Sequence, residues 1–234
     1  MRNVIVLLFV FVSVLKLNAQ DSLEVKRKLR FPVWTTHSAN SDILGLSLAA
    51  FPKDVFKRDT TLARTYGVRL EASIVGVFSP LMGRSPVSNS GAEFVNKQEK
   101  VPTEIIYGIN LSSGTFGVTK VHGISSGLFI QYLYNMNGIS LATMSNFIER
   151  HNGIAISAFG NEVYKSNGLL AGFGNIASDF NGIQIGGFNE IQMKGIGIQI
   201  GIFNDAKNFK GLQIGLWNKN EKRSLPFFNW QFKG

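Results

Sequence analysis

A short apolar unit repeats along the C-terminal half of the chain and limits what the chain can fold into. Residues 182–189 read GIQIGGFN, residues 197–204 read GIQIGIFN, and residues 211–218 read GLQIGLWN. The glycine that opens each unit recurs upstream at spacings of 14 or 15 residues. Its positions are Gly108, Gly123, Gly138, Gly153, Gly168, Gly182, Gly197 and Gly211. This regular spacing predicts a protein built from stacked copies of one structural unit, with regular repeats over 108–218.

Within a unit, residues alternate with a period of two, which is the pattern of a β-strand with two different environments. After Gly211, one face carries Leu212, Ile214 and Leu216, and the other carries Gln213, Gly215 and Trp217. The residues after a unit are typical of a turn. After the unit at 197–204, for example, residues 205–208 read DAKN. One unit is therefore predicted to contain about ten residues of strand and about four of turn.

The N-terminus predicts export. A short basic start is followed by an unbroken apolar run over 4–15 and a small residue, Ala19, at a suitable cleavage position. Residues 1–19 are therefore predicted to be a signal peptide, with a retained anchor as the alternative, and 20–234 a single all-β domain. The chain has no cysteine, which excludes disulfides, thiolate metal sites, a thiol nucleophile and a lipoprotein anchor. The net charge of +9 is spread along the chain, and its densest run, at 26–30, is predicted to be solvated surface, with contact to an anionic membrane surface or glycan as the functional alternative. Behind an export signal, nucleic acid is not expected as a partner.

Strands are also predicted upstream of the repeats, near 28–35, 43–51 and 65–78, and at the C-terminus from Leu225. Residues 79–102 are rich in proline and serine and are predicted to form an exposed loop. No proline lies between Pro102 and Pro226, as an uninterrupted hydrogen-bond ladder requires.

Two folds satisfy this pattern. The favoured one is an antiparallel meander that closes as a barrel of about 12 strands, with the Ile and Leu rows facing outer-membrane lipid and the polar rows facing a lumen. The alternative is a parallel β-solenoid with 14–15-residue coils, in which the Ile and Leu rows would be core. In that solenoid Asn189, Asn204 and Asn218 would stack at a corner, with Ala206 and Phe209, like Ala177 and Phe180, filling the return side. A soluble open meander is the third arrangement.

The chain resembles the surface-repeat family of exported Gram-negative bacterial proteins. The resemblance lies in the units GIQIGIFN and GLQIGLWN, in a preceding Asn-Gly or Lys-Gly, and in the terminal PFxNxxF pattern. The resemblance covers 153–232 well and is loose before Gly138. It implies a location in the outer membrane or at the cell surface. It implies no activity and no catalytic residues.

Candidate functional residues follow from the two faces of the strands. Arg69 and Glu71 are predicted to point into a lumen, either to tune a pore or to form a structural salt bridge. A second set, predicted to share one face that could bind an envelope glycan, combines glutamines with aromatic residues. Its members are Gln184, Gln199, Gln213, Phe188, Phe203 and Trp217.

Motifs for catalysis are not evident. His37, His122 and His151 have no partners at metal-ligand or triad spacing, and His122 and His151 are predicted to lie in solvated turns. Gly172-Phe173-Gly174 and Gly195-Ile196-Gly197 lie inside strands, without the helix that a phosphate loop needs. We therefore expect no enzyme, cofactor or metal. The expected function is an outer-membrane barrel with a structural or small-solute pore role, with lipid and the assembly machinery as partners. The alternative is a surface-displayed repeat protein for binding or adhesion to a glycan or another surface protein.

Overall fold

The computed structural model describes residues 26–53, 61–73, 78 and 85–232. The predicted signal peptide lies outside the described residues. Strands account for most of the described chain, together with a helix, α1 (Gly91–Glu99). The strands are β1 (Lys28–Arg30), β2 (Val33–Thr35), β3 (Ser41–Ala49), β4 (Ala63–Glu71), β5 (Glu104–Ser112), β6 (Thr119–Gly127), β7 (Ile130–Ala142), β8 (Ser145–Ser157), β9 (Gly160–Ala171), β10 (Gly174–Ala206), β11 (Phe209–Asn220) and β12 (Ser224–Gln231). The all-β, repeat-built class predicted from the sequence is confirmed.

The chain winds as a parallel β-solenoid. From β3 to β11 each strand pairs in parallel with the next, glycine beside glycine, and β10 alone spans two coils. β1 and β2 pair in parallel with β3, whereas β12 pairs antiparallel with β11. The favoured antiparallel barrel is therefore wrong, and the solenoid alternative is correct. A repeat of 14–15 residues is long enough for the chain to return to the same edge, so equivalent residues of successive coils become neighbours.

A column of glycines allows the coils to stack closely. These glycines have φ values from +114° at Gly45 to +158° at Gly211, a region that residues with a Cβ rarely adopt. A Cβ added at Gly182 would overlap the carbonyl oxygen of Gly168 in the preceding coil. The recurrent glycine of the sequence is therefore a backbone requirement repeated once per coil.

A ladder of buried amides forms one corner of the coil. Asn189 accepts a hydrogen bond from Asn175 at 2.9 Å and donates to Asn204 at 2.8 Å and to the Ile200 carbonyl at 2.9 Å. Asn204 continues the ladder by donating to Asn218 at 2.7 Å. These amides satisfy backbone carbonyls where the chain turns and strand pairing is interrupted. The stacking of Asn189, Asn204 and Asn218 predicted for the solenoid is confirmed.

The return side of each coil supplies the apolar core. Ala177, Phe180, Ala206 and Phe209 are buried there, as the solenoid alternative predicts. The Ile and Leu rows, however, point outward, and the prediction that they form the core of a solenoid is wrong. Glutamines line the interior behind them because their amides stack: Gln213 donates to Gln199 at 2.8 Å, and Gln199 donates to Gln184 at 2.7 Å. A buried polar group is tolerated when it has hydrogen-bond partners.

Part of the predicted exposed loop is a docked helix. Ser90 caps α1 by accepting a hydrogen bond from the Glu93 amide, and the Glu93 carboxylate accepts one from the Asn89 amide. Phe94 stacks on Tyr164 of β9, with ring centroids 4.4 Å apart. The Ser-x-x-Glu spacing was present in the sequence and signals a helix start. Within 79–102, residues 79–84 lie outside the described residues.

Ion pairing and hydrogen bonds also hold α1 against the coils. Lys97 of α1 contacts the fully buried Glu149 of β8 at 2.9 Å and donates to the Pro86 carbonyl at 2.7 Å. Glu149 further accepts hydrogen bonds from the Tyr132 hydroxyl at 2.8 Å and from the Ser88 amide at 3.2 Å. The helix therefore covers the return side of the central coils and leaves the Ile and Leu side uncovered.

Substitution of one stacked glycine tests the close approach of the coils. We expect Gly182→Ala to lower the free energy of unfolding by at least about 2 kcal/mol, because alanine is strained at φ +143° and its Cβ overlaps the Gly168 carbonyl oxygen of the preceding coil. Gly174→Ala, also in β10, is the matched control: its Cβ has 3.6 Å of clearance from the Phe159 carbonyl. The control should change stability by no more than about 1 kcal/mol in urea denaturation. Equal effects of the two substitutions would contradict the stacking argument.

Candidate binding surface

Two outward rows of side chains run the length of the solenoid. The first row is Val33, Leu46, Val68, Ile109, Ile124, Ile139, Ile154, Leu169, Ile183, Ile198, Leu212 and Trp230. The second row is Thr35, Leu48, Leu70, Leu111, Ser126, Leu141, Ile156, Ala171, Ile185, Ile200, Ile214 and Phe228. Strand register places each residue beside its equivalent in the next coil. Neither row, as defined by these described residues, contains a charged side chain.

The rows are open to solvent along their length. Ile154 is 37 % exposed, Ile156 44 % and Ile200 39 %. With strands about 4.8 Å apart, the rows extend about 50 Å, and together with the flanking aromatics they cover a strip about 15 Å wide. The strip has an area of about 750 Å², larger than the apolar patches of most soluble monomers.

A row of aromatic side chains borders this strip. Phe173, Phe188, Phe203 and Trp217, here called the aromatic ridge, lie on successive coils and are 46–57 % exposed. Phe188 and Phe203 stack with ring centroids 5.3 Å apart, and Phe203 pairs with Trp217 across β10 and β11. The two apolar rows and the aromatic ridge together are the apolar face.

The aromatic ridge and the glutamines lie on opposite sides of the sheet, so their predicted common face is wrong. At the corner, Asn218 donates to the Gly215 carbonyl at 3.0 Å and closes a tight turn. Leu216 and Trp217 are consecutive and both exposed, so the turn interrupts the alternation. Gln184, Gln199 and Gln213 are fully buried and stacked, which leaves them no surface for a glycan.

Arg69 and Glu71 face the interior, as predicted, but as part of a buried cluster. Arg69 pairs with Glu71 at 2.7 Å and with Glu104 at 2.6 Å, and it donates to Asn110 at 2.9 Å. Burial raises the pKa of Glu71, an effect that Arg69 opposes and Glu104 reinforces. Glu104, 33 residues beyond Glu71 in the chain, was missed because only the stacking of β5 on β4 brings it to Arg69. The cluster fills the solenoid interior, so the pore role, which needed an open lumen, is not supported.

The histidines lie elsewhere than expected. His151 is fully buried in β8, with Nδ1 3.0 Å from the Ser166 hydroxyl, and burial lowers the pKa of His151 to about 4. His122 lies in β6 and stacks on Tyr107, with ring centroids 5.0 Å apart. The prediction of solvated turns is therefore wrong for both, because the strands extend beyond the glycine toward the N-terminus of each unit. His37 lies in a turn and contacts Phe51, with ring centroids 4.2 Å apart.

The sequence places the Ile and Leu rows outward in the predicted barrel but inside the predicted solenoid, because alternation shows that a strand has two environments but not which one is inside. The signal of the apolar face was present as aliphatic residues at two positions of nearly every unit.

The described part of the chain contains no group of three or more histidine, aspartate or glutamate side chains placed to hold a metal ion. Among the described helices, none is long and apolar enough to cross a membrane. No family model matches the chain, and neither the curated proteins nor the solved structures include a significant match.

Removing the charge at Arg69 tests the interior cluster. We expect Arg69→Met to lower the free energy of unfolding by about 3–5 kcal/mol at pH 7, because Glu71 and Glu104 are left buried without a counter-charge. The variant in which Arg69→Met is combined with Glu71→Leu and Glu104→Gln should recover most of that loss. Urea denaturation of the two variants makes the comparison. A combined variant no more stable than the single one would show that the cluster is not held by charge pairing.

The buried histidine predicts a pH dependence of stability. The unfolded chain binds a proton at His151 near pH 6.5, whereas the folded chain does so only near pH 4. Between these values the unfolded state holds more protons, so stability falls as the pH is lowered from about 6.5 to about 4. We expect the loss due to this residue to be about 3 kcal/mol.

His151→Met is the control for that prediction, since Met136 occupies the equivalent position in the preceding coil. Unfolding of the wild type and the variant in urea at pH 7 and pH 4.5 isolates the histidine from the other titrating groups. The variant should lose less stability on acidification. Parallel losses in the two proteins would mean that His151 has the same pKa in the folded and the unfolded protein.

Proposed function

We propose that this chain is an exported repeat protein displayed at the surface of a Gram-negative envelope, where it binds a partner through its apolar face without catalysis. The observation that carries the proposal is the pair of uncharged, mostly aliphatic rows from β2 to β12, in which Thr35 and Ser126 are the polar members. Where the strands form the apolar face, glutamine and asparagine amides are buried behind exposed Ile and Leu side chains, the reverse of the usual distribution.

Closure of the fold does not account for this arrangement. The interior is completed by the amide ladders and by the apolar return side, exemplified by Phe180 and Phe209, which are each 1 % exposed. The outward aliphatic side chains are only partly covered by their neighbours, and each leaves apolar area in water at a cost of about 25 cal/mol per Å². A partner that covers the strip would remove that cost. Extended apolar patches of this size commonly mark interaction sites.

The sequence supports the location. The predicted signal peptide at 1–19 and the resemblance of the repeats to exported surface-repeat proteins both favour the cell surface. The absence of cysteine from the sequence agrees with an address that does not depend on a lipid-modified cysteine. The glutamines of the predicted glycan-binding face are buried, so an apolar partner fits the exposed face better than a glycan does.

Cysteine labelling on intact cells tests both display and binding, because the natural chain has no cysteine of its own. Lys207→Cys places a thiol on the exposed return side, and Ile156→Cys places one on the apolar face. We expect a membrane-impermeant maleimide to label the Lys207→Cys protein on cells and to label the Ile156→Cys protein at least tenfold more slowly. Both thiols should react readily in the purified protein. Ala177→Cys, which is fully buried, controls for unfolded material.

Two outcomes would contradict the proposal. If the Lys207→Cys protein reacts only after the cells are broken, the protein is not displayed. If the Ile156→Cys protein reacts on cells as fast as the Lys207→Cys protein, nothing covers the apolar face there.

A further inference from the structure

We propose that the occupant of the apolar face is the surface of a lipid bilayer containing anionic lipid, on which the solenoid lies flat with its long axis in the membrane plane. The inference rests on the proposed function, since it names the partner of the same face. The shape of the face, its aromatic border and the positive charge beyond its other border all match a bilayer surface.

The face has the shape that an interfacial protein needs. Parallel pairing of equivalent positions makes it a long strip, with two open depressions along its second row, one beside Leu48, Leu70 and Leu111 and one beside Leu141 and Ile156. Ile139, Ile154 and Ile183 in the first row are 36–39 % exposed, so each contributes a short aliphatic projection rather than a deep anchor. Proteins that lie in the membrane interface insert their apolar surface only about 5–10 Å, to the boundary of headgroups and acyl chains.

Aromatic residues lie where such a protein would meet the headgroups. The aromatic ridge follows one long border, and Trp217 at its end is 48 % exposed. β12 continues the strip with Phe228 and Trp230, which are 56 % and 50 % exposed and pair with Ile214 and Leu212. Arg223 lies 4.5 Å from the Trp230 ring centroid, so a cation accompanies the last aromatic of the face. Tryptophan and basic side chains are enriched at membrane interfaces.

Beyond the other long border, separated from the first apolar row by the outward row of Tyr66, Tyr107 and His122, lies a basic row. Three residues before the stacked glycine, an outward row carries more cations than anions. The cations of this basic row are Arg64, Lys120, Arg150, Lys165 and Lys194. Its two acids are each engaged: Asp42 pairs with Arg27 at 2.8 Å, and Asp179 is shared by Lys165 and Lys194 at 3.7 and 3.6 Å. The row therefore has an excess of positive charge, one outward row away from an uncharged apolar strip.

This charge pattern favours lipid over a second copy of the chain. Two copies facing each other would bury about 1,500 Å², enough for a stable dimer. A second copy, however, would bring another uncharged strip bordered by another basic row, with no acidic border to complement it. Anionic headgroups beside acyl chains match both parts of the surface.

Vesicle flotation of the purified mature chain tests the inference. We expect it to float with phosphatidylcholine vesicles containing about 30 % phosphatidylglycerol, whose anionic headgroups attract basic surfaces. Flotation should be at least tenfold lower at equal lipid when Ile156→Glu is introduced. Val95→Glu, at a position 53 % exposed on α1, adds the same charge away from the face and should float like the wild type. Lys120→Gln combined with Lys165→Gln should weaken binding to the anionic vesicles only.

Tryptophan quenching reports which surface meets the lipid. Trp34→Phe leaves Trp217 and Trp230, both on the apolar face, as the fluorophores. We expect vesicles containing brominated acyl chains to quench this variant severalfold more than unlabelled vesicles. Flotation without such quenching would mean attachment by another surface and would overturn the inference.

Failure of the inference is separable from failure of the proposed function. The wild type could fail to float and instead form a dimer that Ile156→Glu converts to a monomer in analytical ultracentrifugation. The face would then be an interface between two copies of the chain. That result overturns the lipid inference and leaves the binding function intact. No flotation together with rapid labelling of the Ile156→Cys protein on cells would overturn both.

Discussion

The structure depends on the in-register parallel stacking of equivalent residues. Each coil hydrogen-bonds to the next at the same positions, so whatever the sequence places at one position becomes a column. The glycine column makes this possible because the backbones approach too closely there for a Cβ, as at Gly182 beside Gly168. A repeat with a different residue at that position in each unit could not stack in this way.

Columns make a polar interior stable. A single buried glutamine or asparagine would leave donors and acceptors unsatisfied, whereas a stacked one finds its partner in the next coil, as Asn189 does in Asn204. The ladder needs a satisfied end, and Gln213 of the last coil accepts a hydrogen bond from Asn229 of β12 at 3.0 Å. The antiparallel β12 therefore both closes the amide ladder and continues the apolar rows.

The same stacking converts a local choice into a large surface. One outward aliphatic residue in a single unit forms no surface, but twelve stacked positions produce a strip about 50 Å long. The ion pair between Lys97 and Glu149 holds α1 against the return side. The chain itself therefore covers one side of the solenoid and leaves the other side exposed to a partner. The proposed membrane-surface role follows from that asymmetry.

The sequence by itself determined the repeat, its 14–15-residue period, the strand alternation and the asparagine column, because each is a property of neighbouring or equally spaced residues. Only the tertiary structure decided strand direction and which face is inside, because alternation is the same for a lipid-facing barrel, a solenoid with an aliphatic core and a solenoid with an amide core. It also decided the contacts between distant residues, such as Arg69 with Glu104. The break in alternation at Trp217 depends on the corner turn closed by Asn218, and the docking of α1 depends on a carboxylate, Glu149, that the sequence places far from it.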